Sequence, residues 1–433
     1  MPCTIIHKNI RLCRFEDRAF IFNIDIIRFS FPQLITSKQF DFIFLDPPYG
    51  KDYIEKIKFN LNIDEDSLQL NTANFIKIIF SGHRGSGKTL ELQRFHSYID
   101  DPGRYFSVFI EIEKEAEVSS FRPEDLFIIL IVKLIEKLHE ANIKFDSGYL
   151  KEIQKEWLSE TNIIKELKDN FKIDVSSEVA AGASFFVFLK LKSALKAVFS
   201  SESNTLTKIR ETIKKKPTYL IDRFNAVLNE LRMCLDAAGN SKDILFILDG
   251  TEKIPYQIYR ELFYEDSYLI RSINSNMIFS VPINSYFDIK ANPGAEFFQT
   301  FSLPMIEIKE GSIPLLKQII TKRIDAETFI EDEALDFCVQ KSGGCIRQLL
   351  RIVNRAIIMS RGAKITKDIA QKSAKELGRD MKELFDSEHL AILKGKQYDT
   401  ARAKVLDLLF SLAVLKYNGN MKINPLITDY FNE

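Results

Sequence analysis

Residues 75–99 read FIKIIFSGHRGSGKTLELQRFHSYI. An apolar run ends at Ser81, seven residues follow with three glycines, and an amphipathic helical stretch begins at Thr89. The spacing Gly82-x-x-x-x-Gly87-Lys88-Thr89, set between a strand and a helix, is a phosphate-binding loop. Its glycines let successive backbone N–H groups turn inward around an anion, and the helix that follows aims its positive end at the same point. Gly82, His83, Arg84, Gly85, Ser86, Gly87, Lys88 and Thr89 therefore form the expected cradle, with ATP as the expected ligand. Lys88 is placed to meet the terminal phosphates and Thr89 to ligate Mg2+ through its hydroxyl.

A second run, ILFILDGTEK at 244–253, supports this reading. Its buried apolar residues carry Asp249 to the carboxyl end of a strand, where open α/β sheets bind ligands, so Asp249 is expected to hold the magnesium shell. Gly250 occupies the place where a water-activating glutamate often follows. Glu252 is the candidate base, with the alternative that it is a solvated loop carboxylate beside Lys253.

Short runs rich in Ile, Phe and Val recur along the chain: IKIIFS to Ser81, YFSVFIEI (105–112), DILFILD (243–249) and MIFSVPI (277–283). They alternate with helical segments, which predicts an α/β fold with a parallel sheet covered on both faces. A fifth strand near 297–308 carries Pro304, which suits a strand end or a sheet edge. The predicted division is an N-terminal segment 1–60, a P-loop core 61–309 with a partly helical insertion at about 114–242, an all-helical lid 310–385, and a winged-helix-like module 386–433. Within the last, Asn418-Gly419 marks a hairpin turn. Trp157, inside the insertion, is read as a packing residue.

On these motifs the chain, over roughly residues 75–360, resembles the AAA+ and signal-transducing (STAND) P-loop ATPases, particularly bacterial ATPases related to origin-recognition proteins. The resemblance implies a strand lying between the P-loop strand and the Asp249 strand, tipped by a polar sensor; MIFSVPINSYF matches it, with Ser280 or Asn284 as the sensor. It also implies a lid arginine that contacts nucleotide. SGGCIRQLLRIVNRA places Arg347 there, with Arg351 one turn on, and Arg271 is the candidate for an arginine supplied to a neighbouring copy. Self-assembly, a protein partner or effector in trans, and regulatory work such as antiviral defence are what such a family implies.

One motif stands apart. FDFIFLDPPYGKDY, residues 40–53, ends a strand-like run in Asp46-Pro47-Pro48-Tyr49 and resembles the catalytic motif of base amino-methyltransferases. Residues 1–39 contain no glycine and so no loop for S-adenosylmethionine, which favours a structural element or a remnant.

Sixty basic residues balance sixty acidic ones, so no net field draws nucleic acid or anionic membrane from a distance. The five cysteines form no Cys-x-x-Cys pair, which fits a reducing cytoplasm and excludes a zinc ribbon. No leader pattern is read at the N-terminus. The most apolar long stretch, residues 179–199, is interrupted by Lys190, Lys192 and Lys196, which argues against a membrane span. DNA binding through the C-terminal module is the rival expectation, resting on Arg402, Lys404, Lys416 and Lys422.

Overall fold

A computed structural model describes residues 75–431, apart from 102–104, 144, 159–160, 201–203, 240–242, 266 and 288–298, together with residues 57, 58 and 61. Asp46-Pro47-Pro48-Tyr49 and nearly all of segment 1–60 lie outside the described residues. The described chain divides into two compact units, one of residues 75–304 and 399–412 with 57, 58 and 61, the other of residues 305–398 and 413–431.

The first unit is built on five parallel strands: β1 (Lys77–Gly82), β2 (Tyr105–Glu111), β3 (Asp243–Asp249), β4 (Asn276–Pro282) and β5 (Gln299–Leu303). Their order is β2-β3-β4-β1-β5. β4 thus lies between the P-loop strand and the Asp249 strand, as the sensor-strand expectation requires, and β5 stops one residue before Pro304 at the sheet edge. This is the parallel sheet of a P-loop NTPase fold, with the phosphate loop between β1 and α1. Because side chains alternate across a strand, each buried run serves two cores. Ile78, Phe80, Leu245, Ile247 and Ile278 pack beneath helix α1 (Lys88–Ile99) with Leu92, Phe95 and Ile99. Ile79, Val108, Phe246 and Phe279 face the other way.

What covers that second face is the long β2–β3 interval. After the short helix α2 (Ile112–Glu115) come α3 (Pro123–Glu140), α4 (Gly148–Leu158), α5 (Thr161–Phe171), α6 (Ser176–Ala180), α7 (Ser184–Ser200), α8 (Asn204–Lys215) and α9 (Pro217–Ala237). Their apolar sides join the sheet in one continuous core. Trp157 sits inside it, edge-on to Phe127 at 6.1 Å and to Phe188 at 5.3 Å between ring centroids. The interval is therefore the structural cover of the sheet as well as an insertion. Past β3 the chain forms α10 (Tyr256–Arg260), α11 (Tyr268–Arg271) and, directly after β4, α12 (Ile283–Phe287).

The second unit opens with α13 (Ile313–Thr321), α14 (Ala326–Phe329), α15 (Asp332–Ser342), α16 (Ile346–Ser360), α17 (Lys367–Lys382) and α18 (Ser387–Gly395). Helix α19 (Ala403–Phe410) then belongs to the first unit, while the hairpin β6 (Val414–Lys416) and β7 (Met421–Ile423), turning at Asn418-Gly419, and α20 (Pro425–Thr428) return to the second. No described helix is long and apolar enough to cross a membrane.

The helical cover is pinned to the start of α3 by a buried ion pair. Arg210 of α8 donates through Nε to Asp125 Oδ1 at 2.7 Å and through Nη2 to Oδ2 at 2.5 Å, while the Arg122 N–H caps Asp125 Oδ2 at 2.8 Å. Burial raises the Asp125 pKa, and Arg210 acts against that rise. Asp125→Ala would strand a partly buried guanidinium, so we expect a loss of about 3 kcal/mol in urea unfolding. A loss below about 1 kcal/mol would show that the pair does not hold α3 to α8.

Candidate functional site

The loop after β1 is folded around one carbonyl. Ser86 donates to His83 O twice, through its N–H at 3.2 Å and its hydroxyl at 2.9 Å. Gly87, at φ 102°, takes a left-handed conformation that costs an L-residue about 1–2 kcal/mol, and it turns the chain into α1. Glu91 N–H bonds Gly87 O at 3.0 Å, so Lys88 and Thr89 occupy the first turn, where helix N–H groups have no internal partner. The Lys88 side chain is buried and curls back over the loop, donating to Gly82 O at 3.0 Å and His83 O at 3.2 Å. Neutral carbonyls are weaker partners for an ammonium than a phosphate is, so this arrangement can exchange them for an anion.

Asp249 ends β3 with 6% of its surface exposed, and its Oδ1 has no hydrogen-bond partner. Burial first, and the neighbouring Glu252 charge second, push its pKa up to about 6; the Thr89 hydroxyl bonds the carboxylate and offsets part of this. A hydroxyl and a carboxylate side by side at a phosphate loop form a hard oxygen set that suits Mg2+. Thr89 and Asp249 would hold such an ion, which supplies positive charge to phosphate oxygens.

Glu252 lies three residues beyond Asp249, and the backbone closes that gap. Gly250 sits at φ 87° and a single 3₁₀ turn, Thr251–Lys253, swings the glutamate back toward the loop. Ser280 of β4 anchors the turn: its Oγ accepts from Gly250 N–H at 2.8 Å and donates to Glu252 Oε2 at 2.7 Å, and its carbonyl accepts from the Thr251 hydroxyl. Glu252 Oε1 stands 3.7 Å from Lys88 Nζ. The carboxylate is thus held in the site and is not a solvated loop group. The two sensor candidates separate clearly, since Ser280 is fully buried and engaged by this turn. Asn284, in the first turn of α12, instead lines a cavity beside Glu252, and its Oδ1 is buried without a partner.

That cavity has a volume of about 500 Å³. Its walls include Arg84 of the phosphate loop, Glu252, Tyr256 and Tyr259 of α10, and one face of α19 formed by Asp407 and Phe410. α19 also touches the loop directly, with Leu409 O 3.2 Å from His83 Nδ1 and the Phe410 ring centroid 4.2 Å from the Arg84 guanidinium carbon. Sequence reasoning missed this wall; an arginine at a variable position of the phosphate loop was its one visible sign. Arg271 ends α11 in an exposed position, and Arg347 and Arg351 lie on α16 of the other unit.

No family model and no curated protein matches the chain. Among solved structures it is similar to Cdc6p from Pyrobaculum aerophilum at 12% identity and a TM-score of 0.37, over 92% of this chain and 98% of that one. It is also similar to the Thermotoga maritima RuvB Holliday junction branch migration motor, at 11% identity and 0.36, over 88% and 95% of the two chains. The Aeropyrum pernix Orc1 protein in complex with DNA aligns at 10% identity and 0.35, over 84% of this chain and 76% of its own.

Two outcomes follow from the geometry. Asp249 must be ionised to ligate a cation, and its raised pKa keeps it protonated to higher pH than an ordinary carboxyl. Magnesium-dependent nucleotide affinity, titrated by calorimetry, should therefore climb between about pH 5 and pH 7, and a flat profile would remove Asp249 as ligand. Ser280→Ala frees the Glu252 turn without touching the loop. Turnover should drop about tenfold with nucleotide affinity unchanged, and equal loss of both would place Ser280 in binding instead.

Proposed function

We propose that this chain is an ATP-dependent molecular switch, in which ATP with Mg2+ binds the loop Gly82–Thr89 and is hydrolysed with Glu252 as general base. The observation that carries the reading is the convergence of Lys88, Asp249 and Glu252 at the carboxyl ends of β1 and β3, on either side of β4, with Glu252 fixed by Ser280 within 3.7 Å of Lys88. Lys88 and the first-turn N–H groups of α1 orient the phosphates, Asp249 and Thr89 hold the ion, and Glu252 takes the proton of the attacking water. Asn284, open to the cavity, is the residue we assign to the terminal phosphate in place of Ser280. The resemblance to AAA+ and STAND ATPases supports a regulatory output passed to a protein partner in trans, with homo-oligomerisation and antiviral defence as its setting.

DNA binding through the C-terminal segment 397–433 draws less support. Lys422 is paired with Glu307 at 2.9 Å and Lys416 is partly buried, so two of the four expected cations offer less to a phosphate backbone than exposed lysines would. Duplex affinity that falls steeply with salt would restore that reading.

Lys88→Ala should abolish ATP binding, measured by calorimetry. Glu252→Gln should bind ATP at least as tightly, because it removes a negative charge beside Lys88, while turnover falls about 100-fold. Unchanged turnover in Glu252→Gln would end its assignment as base.

A further inference from the structure

The turn that carries Glu252 is held from two sides, and only the β4 side has a task in the scheme above. On the other side lies α2, the four-residue helix that opens the β2–β3 interval. Glu113 of α2 is ion-paired with Lys253, the residue next to Glu252 in the same 3₁₀ turn. The backbones are close as well: a Cβ at Gly250 would lie 3.8 Å from Ile112 N and 4.0 Å from Glu113 Cγ. Strand register brings this about, since β2 pairs with β3 as far as Glu111 opposite Asp249, so α2 and the Glu252 turn leave adjacent strands at the same level. α2 is in turn tied to the helical cover. Lys133 of α3 donates to Glu115, the last residue of α2, at 3.0 Å and stands 2.5 Å from Glu136, which is also paired with Lys192 of α7. Lys133 and Glu115 expose only 15% and 14% of their side chains, so salt screens this pair less than it screens the more open pair of Lys253 and Glu113.

We propose that Glu113 is a positioning residue for Glu252, acting through Lys253, and that α2 fastens the general base to the helical cover. The inference rests on the ATP-hydrolysis reading, in which Glu252 takes the proton of the attacking water. Ser280 holds Gly250, Thr251 and Glu252, and Glu113 holds Lys253, the last residue of the turn. A general base must meet its proton within hydrogen-bond reach, so a turn released at one end presents the carboxylate less often in the productive setting. Neither Glu113 nor Lys253 is asked to hold nucleotide, so the effect falls on kcat and not on affinity. A partly exposed ion pair is a weak restraint, which sets the expected size at a few-fold. The run Lys192, Glu136, Lys133, Glu115 then makes the setting of the base depend on the packing of α3 and α7.

The test uses the full chain and measures MgATP binding beside steady-state turnover. Glu113→Gln should bind MgATP within about twofold of wild type, which also shows that it is folded, while kcat falls about fivefold. Lys253→Met should lose a similar factor, and the double variant no more than either single one, because both break the same pair. Raising KCl from about 50 mM to about 500 mM should slow wild-type kcat toward the Glu113→Gln value and leave that variant nearly unchanged. Glu115→Gln, which loosens α2 from α3, should lower kcat about threefold and add nothing to Glu113→Gln. Wild-type kcat in Glu113→Gln, affinity and kcat lost in parallel, additive losses in the double variant, or equal salt dependence with and without Glu113 overturns the positioning role. Wild-type kcat in Glu115→Gln overturns the fastening to the helical cover. A wild type with no turnover, or Glu252→Gln with unchanged turnover, overturns the hydrolysis reading and this inference together. An active wild type that needs Glu252 but not Glu113 overturns this inference alone.

Discussion

Three ionisable groups, Lys88, Asp249 and Glu252, are held largely out of water at the carboxyl ends of a parallel sheet. An isolated charge at such a place is costly, and two carboxylates side by side repel each other, which is why Asp249 titrates high. The Lys88 cation and the hydroxyls of Thr89 and Ser280 offset part of that cost. On the proposed reading, a divalent ion would answer the carboxylates and a phosphate would answer Lys88. The glycine turn at 250 and the strand order follow from the need to bring these groups within reach of one another.

The parts of this arrangement that depend on local sequence were legible in it. Short β-branched and aromatic runs placed all five strands, the glycine spacing placed the loop, and the strand end at Asp249 placed the metal candidate. Glu252 was legible as a candidate but not as a held group, because its orientation depends on Ser280, which is 28 residues away. The choice between Ser280 and Asn284 turned on four residues of strand and helix, where only burial tells an anchor from a cavity-facing amide. Least visible was the contact of His83 with Leu409, 326 residues apart. The pattern of α19, with Val405, Leu408 and Leu409 buried, announces an apolar face but not the surface that receives it.

The β2–β3 interval illustrates the same limit from the other side. Its amphipathic helices read as an insertion because they interrupt the strand succession, yet their apolar sides are what shields one face of the sheet. A parallel sheet needs cover on both faces, so this segment cannot be an optional appendage. It also meets the turn after β3 directly: Glu113 of α2, at the entrance to the helical cover, is ion-paired with Lys253, the neighbour of Glu252.

The return of α19 to the first unit has a consequence for the order in which the protein is made. A chain emerging from the ribosome can close its sheet once residue 303 is available, and domains generally fold as they appear. The outer wall of the cavity and the ring beneath Arg84 arrive only with residues 403–410, after the six helices α13 to α18 have been synthesised. A nascent or prematurely ended chain lacking residues 403–410 would therefore possess the phosphate loop without this wall.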